Sequence, residues 1–136
     1  AGQRHGPAIG HFRRPRPQWE LGMALRGQAS ACIDISDGVL ADLSHILQAS
    51  GGLGACLDEA ALPEDPPVLA GCSADKQRAL QLQGGDDYLL LFTLPAAQPV
   101  PRGCYCLGQV AAQPGIRLRQ RNGAVGALTV AGWQHF

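Results

Sequence analysis

No apolar run in this sequence approaches the roughly 18 residues that a membrane-spanning helix needs, and no secretory signal pattern is present at its start. Net charge is absent too, because 11 Lys and Arg balance 11 Asp and Glu. That balance leaves neither a basic footprint for nucleic acid nor an acidic interaction tail. Arg4, Arg13, Arg14 and Arg16 cluster near the start, but prolines interrupt them, and they read as a solvated, extended arm. Zinc spacing is missing among the five cysteines, Cys32, Cys56, Cys72, Cys104 and Cys106. Cys104-x-Cys106 is one residue short of C-x-x-C, and on a strand its thiols would point to opposite faces. An odd count of cysteines with apolar flanks indicates small core residues in a reducing cytoplasm. No Gly-x-Ser-x-Gly elbow, Walker-type loop, internal repeat or low-complexity segment occurs.

The 136 residues suffice for one domain with a real core. The chain starts at Ala1 without an initiator Met and reads as a piece of a longer protein. Residues 1–17, rich in Gly and Pro, are expected to be a linker arm, leaving 18–136 as the folded domain. Gln18–Gln28 has the pattern of a short helix weakened by Gly22 and Gly27. Leu53–Leu57 is a strand candidate, Pro63–Pro67 a loop and Ser73–Gln83 a helix capped by Ser73. Leu89–Leu94 is a near-continuous apolar run, the signature of a central strand covered on both faces. Cys104–Val110 and Ile116–Arg119 are further strands, the second half-exposed by its alternation, and Asn122-Gly123 marks a turn. Helices interleaved with strands, and neighbouring strands late in the chain, predict an α/β (α+β) domain with a mixed β-sheet flanked by helices.

The stretch with the most chemistry is Ala31–Ser50. A short apolar run, Ala31-Cys32-Ile33, leads into Asp34-Ile35-Ser36-Asp37-Gly38 and then into a helix. Val39, Leu40, Leu43, Ile46 and Leu47 form one apolar stripe at a 3.6-residue period. Ala41, Asp42, Ser44, His45 and Gln48 fill the other face, and Gly51-Gly52 is a stop. Ser36 or Asp37 is expected at the N-cap. Capping alone accounts for those two residues. It does not account for Asp34, because a carboxylate in an apolar strand is costly to bury unless paired or metal-bound. Asp34 and Asp37 with Ser36 between them suit a hard cation such as Mg²⁺, which takes one or two protein carboxylates plus phosphate oxygens and water. Helix N-termini also favour phosphate groups.

Gly84-Gly85-Asp86-Asp87-Tyr88 is the second candidate. Paired glycines let backbone approach a ligand closely, and adjacent carboxylates invite a cation or ligand donors; a helix C-cap with a polar turn is the plainer alternative. Trp133 offers a flat face for stacking or simply packs.

Taken in order, these pieces resemble the C-terminal half of bacterial thiamine-monophosphate kinases. The matching stretches are Arg14-Pro15-Arg16-Pro17 with Glu20-Leu21-Gly22, Ile33–Gly38 with Leu40-Ala41-Asp42-Leu43, and Gly84–Tyr88 with Phe92-Thr93-Leu94-Pro95. Gly132-Trp133 with His135-Phe136 completes the set, which covers nearly the whole chain from Arg13 onward. The family is similar in architecture to the aminoimidazole-ribotide synthetase superfamily, with selenophosphate synthetase and the hydrogenase-maturation dehydratase, all users of ATP. The resemblance implies a C-terminal α/β domain with a mixed sheet flanked by helices, and transfer of phosphate from ATP to thiamine monophosphate with Mg²⁺. By position it gives Asp34 and Asp37 as metal ligands, Ser36 as an ATP contact, and Asp86 and Trp133 as substrate contacts. It also implies an N-terminal domain not contained in these residues and a homodimer of the full-length protein, so that this chain alone should be inactive. Two departures stand out: the family usually has Glu where Asp86 stands and a second Glu where Leu89 stands. Another ATP-dependent member of the superfamily, and a non-catalytic ligand-binding relative, remain the alternative readings.

Overall fold

In the computed structural model, residues 16–63, 71–85 and 88–130 are described. Three helices and six strands alternate among them. Helix α1 (Trp19–Leu25) leads into strand β1 (Ala31–Asp34), helix α2 (Val39–Ala49) and strand β2 (Gly54–Asp58). A 3-10 turn (Glu59–Ala61) and helix α3 (Ala74–Gln83) follow, then β3 (Leu90–Thr93), β4 (Gly108–Ala111), β5 (Gly115–Arg119) and β6 (Val125–Ala127). The α+β class and the mixed sheet are as expected. The strands form two sheets rather than one. The larger has the order β4-β2-β5-β6, with β2 and β5 parallel and both outer pairs antiparallel; the smaller pairs β1 with β3 antiparallel, Asp34 opposite Leu90.

The apolar stripe of α2 supplies the core. Leu40, Leu43 and Leu47 pack against Ala55 and Leu57 of β2 and Ile116 and Leu118 of β5, with Leu62 and Leu82 closing the cluster. On β5 the alternation holds as predicted: Ile116 and Leu118 are buried at 4% exposure while Arg117 and Arg119 stay on the other face. The Gly51-Gly52 stop is present, both residues at positive φ, with the Gly52 N–H donating to the Leu47 carbonyl. Ser73 caps α3 by accepting from the Lys76 N–H at 3.4 Å.

Five expectations need correction. The helix N-cap is Gly38, and neither Ser36 nor Asp37 makes a side-chain cap. Asp42 and Ala41 are buried, not on an open polar face, because the Ile35–Gly38 segment folds back over that side of the helix. The strand expected from Cys104 begins only at Gly108, since the Cys104 N–H closes a turn onto the Pro101 carbonyl and pairing with β2 starts at Gly108 opposite Leu57. The apolar run at β3 is half-buried rather than covered on both faces, and among the described residues it pairs with β1 alone. The cysteines also differ from core residues: Cys32 and Cys106 are exposed, the other three are half-buried, and all five are free.

Glu59 fastens the 3-10 turn to two other elements. Its carboxylate accepts from the Arg121 backbone N–H at 3.0 Å and from the Arg78 guanidinium of α3 at 2.6 Å. The Arg121 amide first, and then Arg78, hold the Glu59 carboxyl below the usual carboxylate range. A depressed folded value stabilises the fold above the unfolded value and loses that contribution as pH falls through the folded one. The stability difference between wild type and Glu59→Gln should therefore be level from about pH 7 to about pH 5 and shrink below about pH 4.3, as read by urea melts across that range.

Candidate functional site

The two stretches singled out in the sequence meet in space. Ile35 exchanges backbone hydrogen bonds with the second of them: its N–H donates to the Leu89 carbonyl at 2.8 Å, and its carbonyl accepts from the Tyr88 N–H at 3.0 Å. Gly85 sits so close to the first turn that a Cβ would fall 2.4 Å from the Ser36 carbonyl oxygen. Gly38 is closed on the same side. A Cβ there would lie 2.9 Å from the Gln83 carbonyl group, and its φ of 103° excludes ordinary side chains. The glycines after α3 thus allow the end of that helix to rest on the β1–α2 junction. Tyr88 takes a φ of 51°, a left-handed conformation uncommon for a bulky residue.

Asp34 ends β1 and is exposed, Ser36 is exposed and Asp37 is half-buried. Beneath them lies a residue that the sequence reading passed over. Asp42 is 2% exposed, and its Oδ2 accepts from the backbone N–H groups of Ser36 at 2.9 Å and Asp37 at 3.1 Å. A buried carboxylate is tolerated when its oxygens are hydrogen-bonded.

Asp34 also borders a cleft of about 410 Å³ with Trp19, Gly22, Tyr88 and Leu90. On β1, partial desolvation and then the neighbouring Asp34 charge push the exposed Cys32 thiol above its ordinary value. A second cleft of about 420 Å³, between the 3-10 turn and α3, holds Glu59, Arg78 and Arg121 and none of the predicted site residues. Asp86 and Trp133 lie outside the described residues, as do Asp87, residues 1–15 of the linker arm and most of the Pro63–Pro67 loop.

The donor set suits a hard cation: oxygens only, from two carboxylates and a hydroxyl on one turn. Among the described residues no group of three or more His, Cys, Asp or Glu side chains gathers for a metal.

The chain is similar to thiamine-monophosphate kinases over most of its length. It is 36% identical to that of Escherichia coli K12 across 132 residues, 90% of this chain and 40% of the relative. To that of Salmonella typhimurium LT2 it is 45% identical across 82 residues, 60% of this chain and 25% of the relative. Among solved structures, AaThiL complexed with AMPPCP and TMP superposes with a TM-score of 0.80 at 27% identity, covering 99% of this chain and 44% of that one. The kinase of Stenotrophomonas maltophilia K279a gives 0.69 at 33% identity, covering 82% and 38%. The chain thus spans less than half the length of these relatives, matching their C-terminal part. No protein-family model matches it.

Gly38→Ala should cost about 1–3 kcal/mol of stability through forced strain at a positive φ. A chemical denaturation curve shows it, and a loss under about 0.5 kcal/mol would mean the junction yields easily.

Proposed function

We propose that this chain, a match to the C-terminal part of thiamine-monophosphate kinases, forms the half of such an enzyme that carries the β1–α2 metal and nucleotide turn. The full-length enzyme would transfer the terminal phosphoryl group of ATP to the phosphate of thiamine monophosphate, giving thiamine diphosphate and ADP. The observation that carries this reading is the contact between the Ile33–Gly38 and Gly84–Tyr88 stretches. The two meet through the Ile35 hydrogen bonds to Tyr88 and Leu89 and through Gly85 against the Ser36 carbonyl, in a chain whose fold matches that of the relative named as an AMPPCP and TMP complex.

Phosphoryl transfer is mostly positioning and neutralisation of charge, so it asks for carboxylates beside a polyphosphate and needs no covalent nucleophile. Asp34 and Asp37 would hold Mg²⁺, which when bound offsets the charge that builds on the transferring phosphoryl oxygens. Ser36, exposed at the tip of the turn, would donate its hydroxyl to the nucleotide. Asp86, which lies outside the described residues, would contact the substrate, as its position in the Gly84–Tyr88 stretch implies. Trp133 would stack on the thiamine rings, a contact of about 1–2 kcal/mol.

The same reading makes residues 1–17 the arm from an N-terminal domain and 18–136 the C-terminal domain. Support for such a neighbour comes from α1 and β3. Trp19 and Met23 project side by side from α1 at 68% and 61% exposure, next to the apolar cleft. Strand β3 carries the residues of a doubly covered strand, is half-buried, and among the described residues pairs with β1 alone. A homodimer of the full-length enzyme and a cytoplasmic location belong to the same proposal; no helix among the described residues is long and apolar enough to cross a membrane.

In the full-length protein, Asp34→Asn should abolish thiamine diphosphate formation while leaving stability within about 1 kcal/mol. Retained turnover in that variant, or turnover limited to another phosphate acceptor in the wild type, would refute the assignment. The purified 136-residue chain should fold, by its circular dichroism and cooperative melting, and produce no thiamine diphosphate.

A further inference from the structure

The turn between β1 and α2 could hold either an anion, through its amides, or a cation, through its side chains. The backbone N–H groups of Ser36 and Asp37 decide between them. Successive N–H groups beside a helix N-terminus make a ready anion cradle when they point outward. Here both point inward and end on one atom, Oδ2 of Asp42, at 2.9 and 3.1 Å. That atom sits on the first turn of α2, in a side chain with 2% exposure. None of the ion pairs among the described residues involves Asp34, Asp37 or Asp42. With both amides taken, Ser36 and Asp37 offer the outside only oxygens, and the buried carboxylate adds negative potential behind them.

We propose that Asp42 is the positioning residue of this turn, its buried carboxylate withdrawing the Ser36 and Asp37 amides so that the junction receives a divalent cation and turns away free phosphate. The inference rests on the metal role proposed above for Asp34 and Asp37. It adds a residue that touches neither cation nor substrate. The carboxylate fixes the backbone between the two ligands, and with it the angle at which their side chains leave the turn. Effective ligand placement depends on this kind of supporting contact, and losing one typically lowers metal affinity ten- to a hundred-fold.

The test uses amide NMR of the 136-residue chain, with Mn²⁺ as a paramagnetic stand-in for Mg²⁺ and inorganic phosphate as the anion. In wild type, Mn²⁺ should broaden Asp34 and Asp37, the Ser36 and Asp37 amides should exchange slowly, and phosphate should leave them unshifted. In Asp42→Ala those two amides should exchange at least about ten-fold faster and shift with phosphate, and Mn²⁺ affinity should fall about ten-fold. Asp42→Asn keeps one acceptor oxygen without charge; it should restore most of the amide protection and, at most, part of the Mn²⁺ affinity. This variant also covers the case in which the Ala substitution fails to fold. Mn²⁺ affinity unchanged in a folded variant whose amides are freed would reduce Asp42 to a structural residue and overturn the proposal. So would phosphate shifts at Ser36 and Asp37 in wild type. Slow amides with no Mn²⁺ broadening in wild type would strike down the metal reading itself, whereas Mn²⁺ broadening with fast-exchanging amides would overturn only the role given to Asp42.

Discussion

A single buried carboxylate shapes the centre of this fold. Asp42 lies on the same helix as Leu40 and Leu43, whose burial anchors α2 to the larger sheet. Moving Asp42 would require moving that core. The two hydrogen bonds from Ser36 and Asp37 therefore tie the turn to the most fixed element in the molecule. The reverse dependence also holds. A carboxylate at 2% exposure stays there only while those amides satisfy it. Turn and helix thus specify each other, and the exposed ends of that arrangement are Asp34, Ser36 and the half-buried Asp37.

Glycine completes the junction from the other side. Gln83 at the end of α3 lies against Gly38, and Gly85 against the Ser36 carbonyl, at distances that no Cβ would permit. From there the chain turns through Tyr88 and enters β3, which pairs with β1 through Leu90 opposite Asp34. The smaller sheet thus joins the two motifs covalently remote from each other. It is a two-stranded ladder, and such ladders are marginal by themselves. Its stability must come from α2 behind it and, in the proposed full-length enzyme, from whatever covers its other side.

What the sequence made legible follows from local physics. The α2 stripe, the Gly51-Gly52 stop, the Ser73 cap, the Ile116/Leu118 alternation and the turn at Asn122-Gly123 all depend on residues within one or two turns of each other, and all are present. The burial of Asp42 was illegible because its partners are backbone amides, which carry no residue identity. Ser36 and Asp37 looked like N-caps for the same reason: residue type reports the capacity for a cap hydrogen bond, not whether another acceptor already holds the neighbouring amides. The Cys104 strand was placed too early because the residues before Gly108 have strand propensity, while the turn that the Cys104 N–H closes on Pro101 depends on the loop's path. As to the site, Asp34 ends β1 and Ser36 and Asp37 lie in the junction before α2, whereas Asp86 and Trp133 fall outside the described residues.

The disagreement at β3 has a different origin. Leu89-Leu90-Leu91-Phe92 encodes a strand covered on both faces, and the chain leaves it half-buried, with Leu90 in one cleft with the exposed Trp19. Sequence patterns record the surroundings in which a segment was selected, including neighbours that lie on another part of the polypeptide. A half-buried apolar strand is costly and prone to pairing with the wrong partner. Here it borders the same cleft as Asp34. In the proposed enzyme, the surface that needs a neighbour and the turn that needs a cation are thus adjacent. One docking event would then both cover the apolar strand and close water away from the carboxylates, where electrostatic interactions with a polyphosphate strengthen as the local dielectric falls.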